Sequence, residues 1–244
     1  MTIDIIDAEP GIRVLSINRP ATRNAFDLTT YSALADNLVC ADSDPDVNVV
    51  IITGTGGVFT SGNDMADFRD QKGSDEALAL LHALVTADTP VIAAVEGFAI
   101  GIGTTLLLHC DLAFAGRSTV FAVPFVQLGL SAEGGSTLLL PRTAGPKHAA
   151  EMLLLGEKFD VHRAEAAGLI NRVVDDGAAY SAALEAARSL RKLPTQAVLD
   201  TKRLLRRDRA EILRVIEEEA VVFRRRAESP EALAAFQRFF TPAP

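Results

Sequence analysis

Residues 90–115 read PVIAAVEGFAIGIGTTLLLHCDLAFA, and the order of features in them sets the architecture. Val91 to Val95 is a short, uninterrupted apolar run, the pattern of a strand covered on both faces. A glycine-rich turn follows at Gly97, Gly101 and Gly103, and then a long apolar stretch from Thr104. Toward the N-terminus, SDEALALLHALV predicts a helix, and VNVVIITG, Val47 to Gly54, repeats the doubly buried strand, closed by Gly54, Gly56 and Gly57. Ahead of these, Asp27 stands as an N-cap before LTTYSALADNL, where Leu28, Tyr31, Leu34, Ala35 and Leu38 recur at helical spacing. IRVLSI, Ile12 to Ile17, bounded by Gly11 and Asn18-Arg19-Pro20, is one more strand. Toward the C-terminus come a strand STVFAV, a loop FVQLGLSAEGGST, helices around Pro146 to Leu155 and Val161 to Ala167, and a short strand NRVV. Strands and helices alternate throughout, which specifies an α/β protein.

After Pro194 the strand signals stop and the chain reads as consecutive helices. Ile212, Val215, Ile216, Ala220 and Phe223 share one face, with Glu217, Glu218 and Glu219 largely off it. Ser229-Pro230-Glu231 caps the final helix, Pro230 taking the first position that tolerates it. Leu233, Phe236 and Phe240 then form a stripe that must bury against this domain or a neighbouring subunit. Arg224, Arg225 and Arg226 read as a solvated face.

Composition narrows the function. In 244 residues, hydrophobic residues at 48% against charged residues at 23% exclude a disordered chain, and the length suits one large domain or one domain with an appendage. Lys plus Arg 24 against Asp plus Glu 32 leaves −8, so no global basic field exists to hold nucleic acid or an anionic membrane, and neither is expected as a partner. Cys40 and Cys110 are too few for a disulfide framework, which fits a reducing compartment. His82, His109, His148 and His162 are scattered, and the adjacent His109-Cys110-Asp111 cannot converge on one ion, so no metal is expected. The N-terminus lacks the basic flank and apolar run of a signal peptide, no apolar stretch is long enough to span a bilayer, and Thr241-Pro242-Ala243-Pro244 is no peroxisomal address. The expected location is cytoplasmic.

Three glycine-bearing loops follow strand-like runs: Phe59 to Met65, Glu96 to Thr105, and Leu130 to Thr137. Such loops free backbone N–H groups and let a ligand approach closely. The second lacks G-x-G-x-x-G spacing, and its alternative use is an anion site at a helix start, where an enolate oxygen would serve as well as a phosphate. Glu133 has two readings: a helix-start carboxylate stabilised by the dipole, or a partly desolvated general base. Asp64 and Asp111 read as caps or turn residues, and no G-x-S-x-G elbow is present for a serine hydrolase.

Taken together, Asn18-Arg19-Pro20 with Arg23-Asn24-Ala25, VVIITGTGGVFTSGNDM, PVIAAVEGFAIGIGTTLLLHCDLAFA, FVQLGLSAEGGSTLLLPR and AEAAGLINRVV resemble the enoyl-CoA hydratase/isomerase family, the crotonase superfamily, over nearly the whole chain. The resemblance implies the crotonase fold: a spiral of ββα units over residues 1–194 and a helical trimerisation region over 195–244. It also implies a homotrimer or a dimer of trimers, with an acyl-CoA thioester as substrate and no cofactor beyond the coenzyme A that the substrate carries. By the same resemblance the backbone N–H groups of Asn63 and Ile102 form an oxyanion hole. Arg23, Asn24, Ala25, Ser61, Gly62, Asp64 and Met65 border the CoA moiety and thioester. The two glutamates with which family hydratases activate water correspond to Thr105 and Phe125, neither of which is a base at neutral pH. Instead, S-A-Glu133-G-G-S resembles the S-P-E-G-C-S segment of the peroxisomal-type 3-enoyl-CoA isomerase branch, whose glutamate is the catalytic base. The implied activity is migration of the 3-enoyl double bond to the 2-position. A hydratase, another crotonase-type acyl-CoA enzyme, or a catalytically weak acyl-CoA-binding homologue are the alternatives.

Overall fold

The run at 91–95 lies inside the larger of two sheets, where its two-sided apolar pattern belongs. The computed structural model describes residues 2–68 and 73–240. In chain order its elements are β1 (Ile3–Glu9), β2 (Ile12–Ile17), α1 (Leu28–Ser43), β3 (Val49–Gly54), α2 (Met65–Phe68), α3 (Gly73–Thr86), β4 (Val91–Val95), β5 (Phe98–Ile100), α4 (Ile102–Thr105), β6 (Leu112–Gly116) and β7 (Val120–Ala122). There follow α5 (Ser136–Thr143), α6 (Pro146–Leu155), β8 (Phe159–Asp160), α7 (Val161–Ala166), β9 (Arg172–Val174), α8 (Ala179–Arg191), α9 (Thr195–Leu205), α10 (Arg209–Ala227) and α11 (Pro230–Phe240). As its N-cap position predicts, Asp27 accepts the Thr30 N–H at 2.8 Å.

Among the described residues the larger sheet runs β1-β2-β3-β4-β6-β9, with β1 antiparallel to β2 and the remaining pairs parallel. Parallel neighbours need crossovers, supplied by α1 between β2 and β3 and by α3 between β3 and β4. One face packs on α1 and α3, where Leu15, Ile17 and Ile52 are almost wholly buried, each contributing about 1.5–3 kcal/mol. The opposite face, with Val14, Ile51 and Ile92, is covered by α8 through Ala179, Ala183 and Ala187. β5 does not join this sheet and pairs instead with β7, next to β8, in a smaller one.

The apolar stretch from Thr104 is not one helix. α4 passes through a helical turn at Leu106–His109 and ends, and β6 begins at Leu112. The reason is polar: Asp111 accepts the Val91 N–H at 2.8 Å and the buried Lys202 ammonium at 2.7 Å, while Arg206 donates to the His109 and Cys110 carbonyls at 2.9 and 3.0 Å. Cations at a helix C-terminus satisfy carbonyls that the chain itself leaves open. Lys202 and Arg206 thereby fasten the C-terminal helices to the core.

Two expectations for those helices need correction. Glu219 lies on the buried face of α10 with Ile212, Ile216 and Ala220, although Glu217 and Glu218 are exposed. On α11 the buried face is Ala232, Ala235 and Phe236, whereas Leu233 is 50% exposed. The Phe240 side chain and residues 241–244 lie outside the described residues. Ser229 does cap α11, its hydroxyl accepting the Ala232 N–H at 3.2 Å.

Candidate active site

The loop at 60–64 is held between two strand-like partners. Phe26 donates to the Gly62 carbonyl and accepts from the Asp64 N–H, both at 2.8 Å. In such a parallel bridge the N–H of the residue between, Asn63, points to the other edge. On that edge the loop lies so close to β5 that a Cβ on Gly62, at φ +91°, would sit 2.6 Å from the Ile100 carbonyl oxygen. Only glycine permits this approach. Gly101, at φ 58° and ψ −120°, then turns the chain into α4, leaving Ile102 as a first helical residue without an acceptor in its own helix. No acceptor among the described residues takes the N–H of Asn63 or of Ile102.

Glu133 precedes α5 and is sunk in protein, with part of its side chain reaching a cavity. Burial pushes its carboxyl up to about 8; the Thr105 hydroxyl, donating at 2.7 Å, opposes this, and the charge of Glu219 adds to it. The backbone on either side is pinned. His109, fully buried and kept neutral by that burial with its pKa down to about 4, donates from Nε2 to the Gly134 carbonyl at 2.7 Å. Glu219 accepts the Gly135 N–H at 2.6 Å and the Thr137 N–H at 2.9 Å, acting at a distance of more than eighty residues as the anion at the start of α5. Ser136 donates to the Glu133 carbonyl at 2.6 Å.

Two cavities meet at Asn63 and Asp64, which line both. The inner one, about 140 Å³, contains Glu133 with Phe26, Tyr31, Leu81 and Ile216. The outer one, about 620 Å³, is lined by Arg23, Ala25, Ser61, Gly62, Met65 and Phe125. Phe125 packs edge-to-face on Phe223 of the inner cavity, with ring centroids 6.1 Å apart. Most of the residues singled out in the sequence are thus brought together. Asn24, Ile102 and Thr105 line neither cavity, Ile102 being almost wholly buried at the start of α4. Asn24 is fully buried at φ 58°, donating to the Thr55 and Val58 carbonyls at 2.9 and 2.6 Å and accepting the Arg19 N–H, so it holds the loop rather than a ligand. Thr105 touches Glu133 instead. Asp64 is a turn residue as expected, accepting the Ala66 N–H and pairing with Arg19 at 3.0 Å.

Sequence reasoning missed Tyr31 and Glu219 as site residues. Tyr31 counted only as a core position, yet its hydroxyl donates to the Asn63 side-chain carbonyl inside the cavity. Burial and the nearby Glu133 hold the phenol well above its ordinary value, so it remains a donor. Glu219 was legible in principle, because 212, 216, 219 and 223 follow the three-four spacing of one helical face.

Residues 7–240 match the family model described as enoyl-CoA hydratase/isomerase. The chain belongs to this family. The solved structure of Pseudomonas aeruginosa OdaA is 42% identical, has a TM-score of 0.93 and is matched over 99% of both chains, which places the enoyl-CoA hydratase/isomerase chain in the crotonase fold. Among curated relatives, enoyl-CoA delta isomerase 2 of Rattus norvegicus is 32% identical over 98% of this chain, which spans 64% of that protein's length. The 2,3-dehydroadipyl-CoA hydratase of Escherichia coli (strain K12) is 31% identical over 83% of this chain and 81% of its own. Isomerases and hydratases stand side by side among the relatives, so the choice between reactions falls to the site. No helix among the described residues is long and apolar enough to cross a membrane.

Proposed function

We propose that this chain acts on acyl-CoA thioesters, shifting the double bond of a 3-enoyl-CoA to the 2-position with Glu133 as the only proton carrier. The observation that carries this is one carboxyl of near-neutral pKa in the inner cavity, which it shares with Asn63, whose backbone N–H has no acceptor among the described residues. The outer cavity, with Arg23, Ser61, Gly62 and Met65, would take the CoA end, and its boundary at Asn63 the thioester. Glu133 removes a proton from C2, and the electron pair moves onto the thioester oxygen, giving a dienolate. The N–H groups of Asn63 and Ile102 stabilise that charge, and Glu133 returns the proton to C4 as the C2–C3 double bond forms. Coenzyme A belongs to the substrate, and the step calls on no further cofactor.

Two observations favour isomerisation over hydration. Thr105 is already engaged in a hydrogen bond to Glu133, and Phe125 presents an apolar ring. Neither brings a second carboxylate to activate water. The test is to incubate the protein separately with 3-enoyl-CoA and 2-enoyl-CoA and to resolve 2-enoyl from 3-hydroxyacyl product. Conversion of 3-enoyl to 2-enoyl substrate is expected; hydration as the sole reaction would overturn the proposal.

The Thr105 contact predicts a pH effect with a definite sign. Its hydroxyl donates to the charged form of Glu133, so Thr105→Val removes a stabiliser of the carboxylate and the pKa rises further. The acidic limb of kcat/KM for isomerisation, expected near pH 8 in the wild type, should move to higher pH. At pH 7 the rate should fall by roughly threefold to tenfold, with Thr105→Ser restoring it. An unmoved limb would separate Thr105 from the titrating group.

A further inference from the structure

We infer that the inner cavity selects acyl chains of medium length, and that Ala220 and Leu78 set the limit. This rests on the acyl-CoA reading of the same site, and it adds the substrate class. At about 140 Å³, the cavity approaches in size the ~150 Å³ apolar cavity that accommodates benzene. It therefore has room for about six carbons beyond those reacting at Glu133.

Its walls explain why the limit is sharp. Leu78 and Leu81 of α3 face Ile216 and Ala220 of α10. Ile216 lies against the loop that carries Glu133, its side chain 3.4 Å from where a Cβ on Gly135 would be. Eleven residues further along α10, about 16 Å at helical rise, the stripe reaches Ala227 and then the exposed Glu228. Asp67, Arg224 and Glu228 make that end of the lining charged. The two walls also meet at the surface, His82 with Glu217 at 2.9 Å and Arg224 with Asp75 at 2.7 Å, exposed pairs that add little to the packing between them. Each methylene covered by apolar wall strengthens binding by roughly fourfold, and a methylene that reaches the charged rim gains little.

The test measures affinity for saturated acyl-CoA thioesters of about six to sixteen carbons by calorimetry, and in parallel the isomerisation rates of the matching 3-enoyl-CoA series. Affinity should climb to about ten carbons and then stop rising, and kcat/KM should be at least tenfold lower at sixteen carbons than at the optimum. Ala220→Leu fills the cavity and should move the optimum shorter by two carbons or more, whereas Leu78→Ala should move it longer. Affinity that keeps rising to sixteen carbons, or an optimum that neither variant moves, would overturn the inference while leaving isomerisation intact. A chain-length optimum in binding without isomerisation at any length would instead remove the proposed reaction and keep the selectivity.

Discussion

Glu133→Gln is expected to lower kcat for 3-enoyl-CoA isomerisation by about 10³-fold, in the middle of the range for losing a general base. KM should stay within about threefold, because the amide keeps the shape of the carboxyl and its oxygen can still accept from Thr105. Steady-state kinetics with product analysis decides it, and unchanged turnover would remove Glu133 from the chemistry. The same variant carries a stability signature. Burial raises the carboxyl from 4.5 to about 8, so between these values the folded chain holds a proton that the unfolded chain releases. The stability associated with Glu133 is therefore greatest below pH 4.5 and declines as pH rises toward 8. Glutamine does not ionise, so above pH 8 the variant should exceed the wild type by roughly 2–4 kcal/mol in denaturant unfolding, the ceiling being reduced because the group is partly exposed. Loss of activity together with a gain in stability at high pH is what a carboxyl buried for catalysis produces.

What was legible in the sequence follows from which physics is local. β3 and β4 declare themselves as apolar runs because parallel strands are buried on both faces. β1 does not, since this edge strand leaves Ile5 and Ile6 about half exposed. β7 is read within STVFAV, but β5 and β8 are too short to show a period, and α8 is disguised because its buried stripe is alanine rather than a large apolar residue. At the site, the glycines of the 60–64 and 97–103 loops are legible because positive φ and close approach are properties of the glycine itself. From its own segment Glu133 keeps two readings, and only the family resemblance points to a base, because what raises its pKa is burial supplied by residues as far away as α3 and α10. Tyr31 is hidden for the same reason, a phenol in a core stripe that looks ordinary until Asn63 is in place, whereas the spacing of Glu219 shows that it is buried but not that it holds the start of α5.

Glu219→Ala should have the largest effect on stability, and it should also move the chemistry. The Glu219 carboxylate accepts from the Gly135 N–H at 2.6 Å, the Thr137 N–H at 2.9 Å and the Thr137 hydroxyl at 2.5 Å, and it is almost fully buried. Alanine leaves these donors in protein without an acceptor, at a cost of about 2–4 kcal/mol, or roughly 4–16 °C in thermal unfolding for a chain of this size. The loop from Glu133 to Thr137 would then keep its ties to His109 and Thr105 but lose the anchor at its helix end, and a displacement near 1 Å at the base costs up to about 10²-fold in kcat. A purely structural role would stop there. Glu219 also repels the charged form of Glu133, so its removal should lower the Glu133 pKa and carry the acidic limb of kcat/KM below pH 8, opposite to the shift expected for Thr105→Val. Opposite displacements of one limb by two residues that touch different sides of the Glu133 loop would identify the titrating group as Glu133 itself, since among the described residues no other carboxyl has Thr105 as a hydrogen-bond donor.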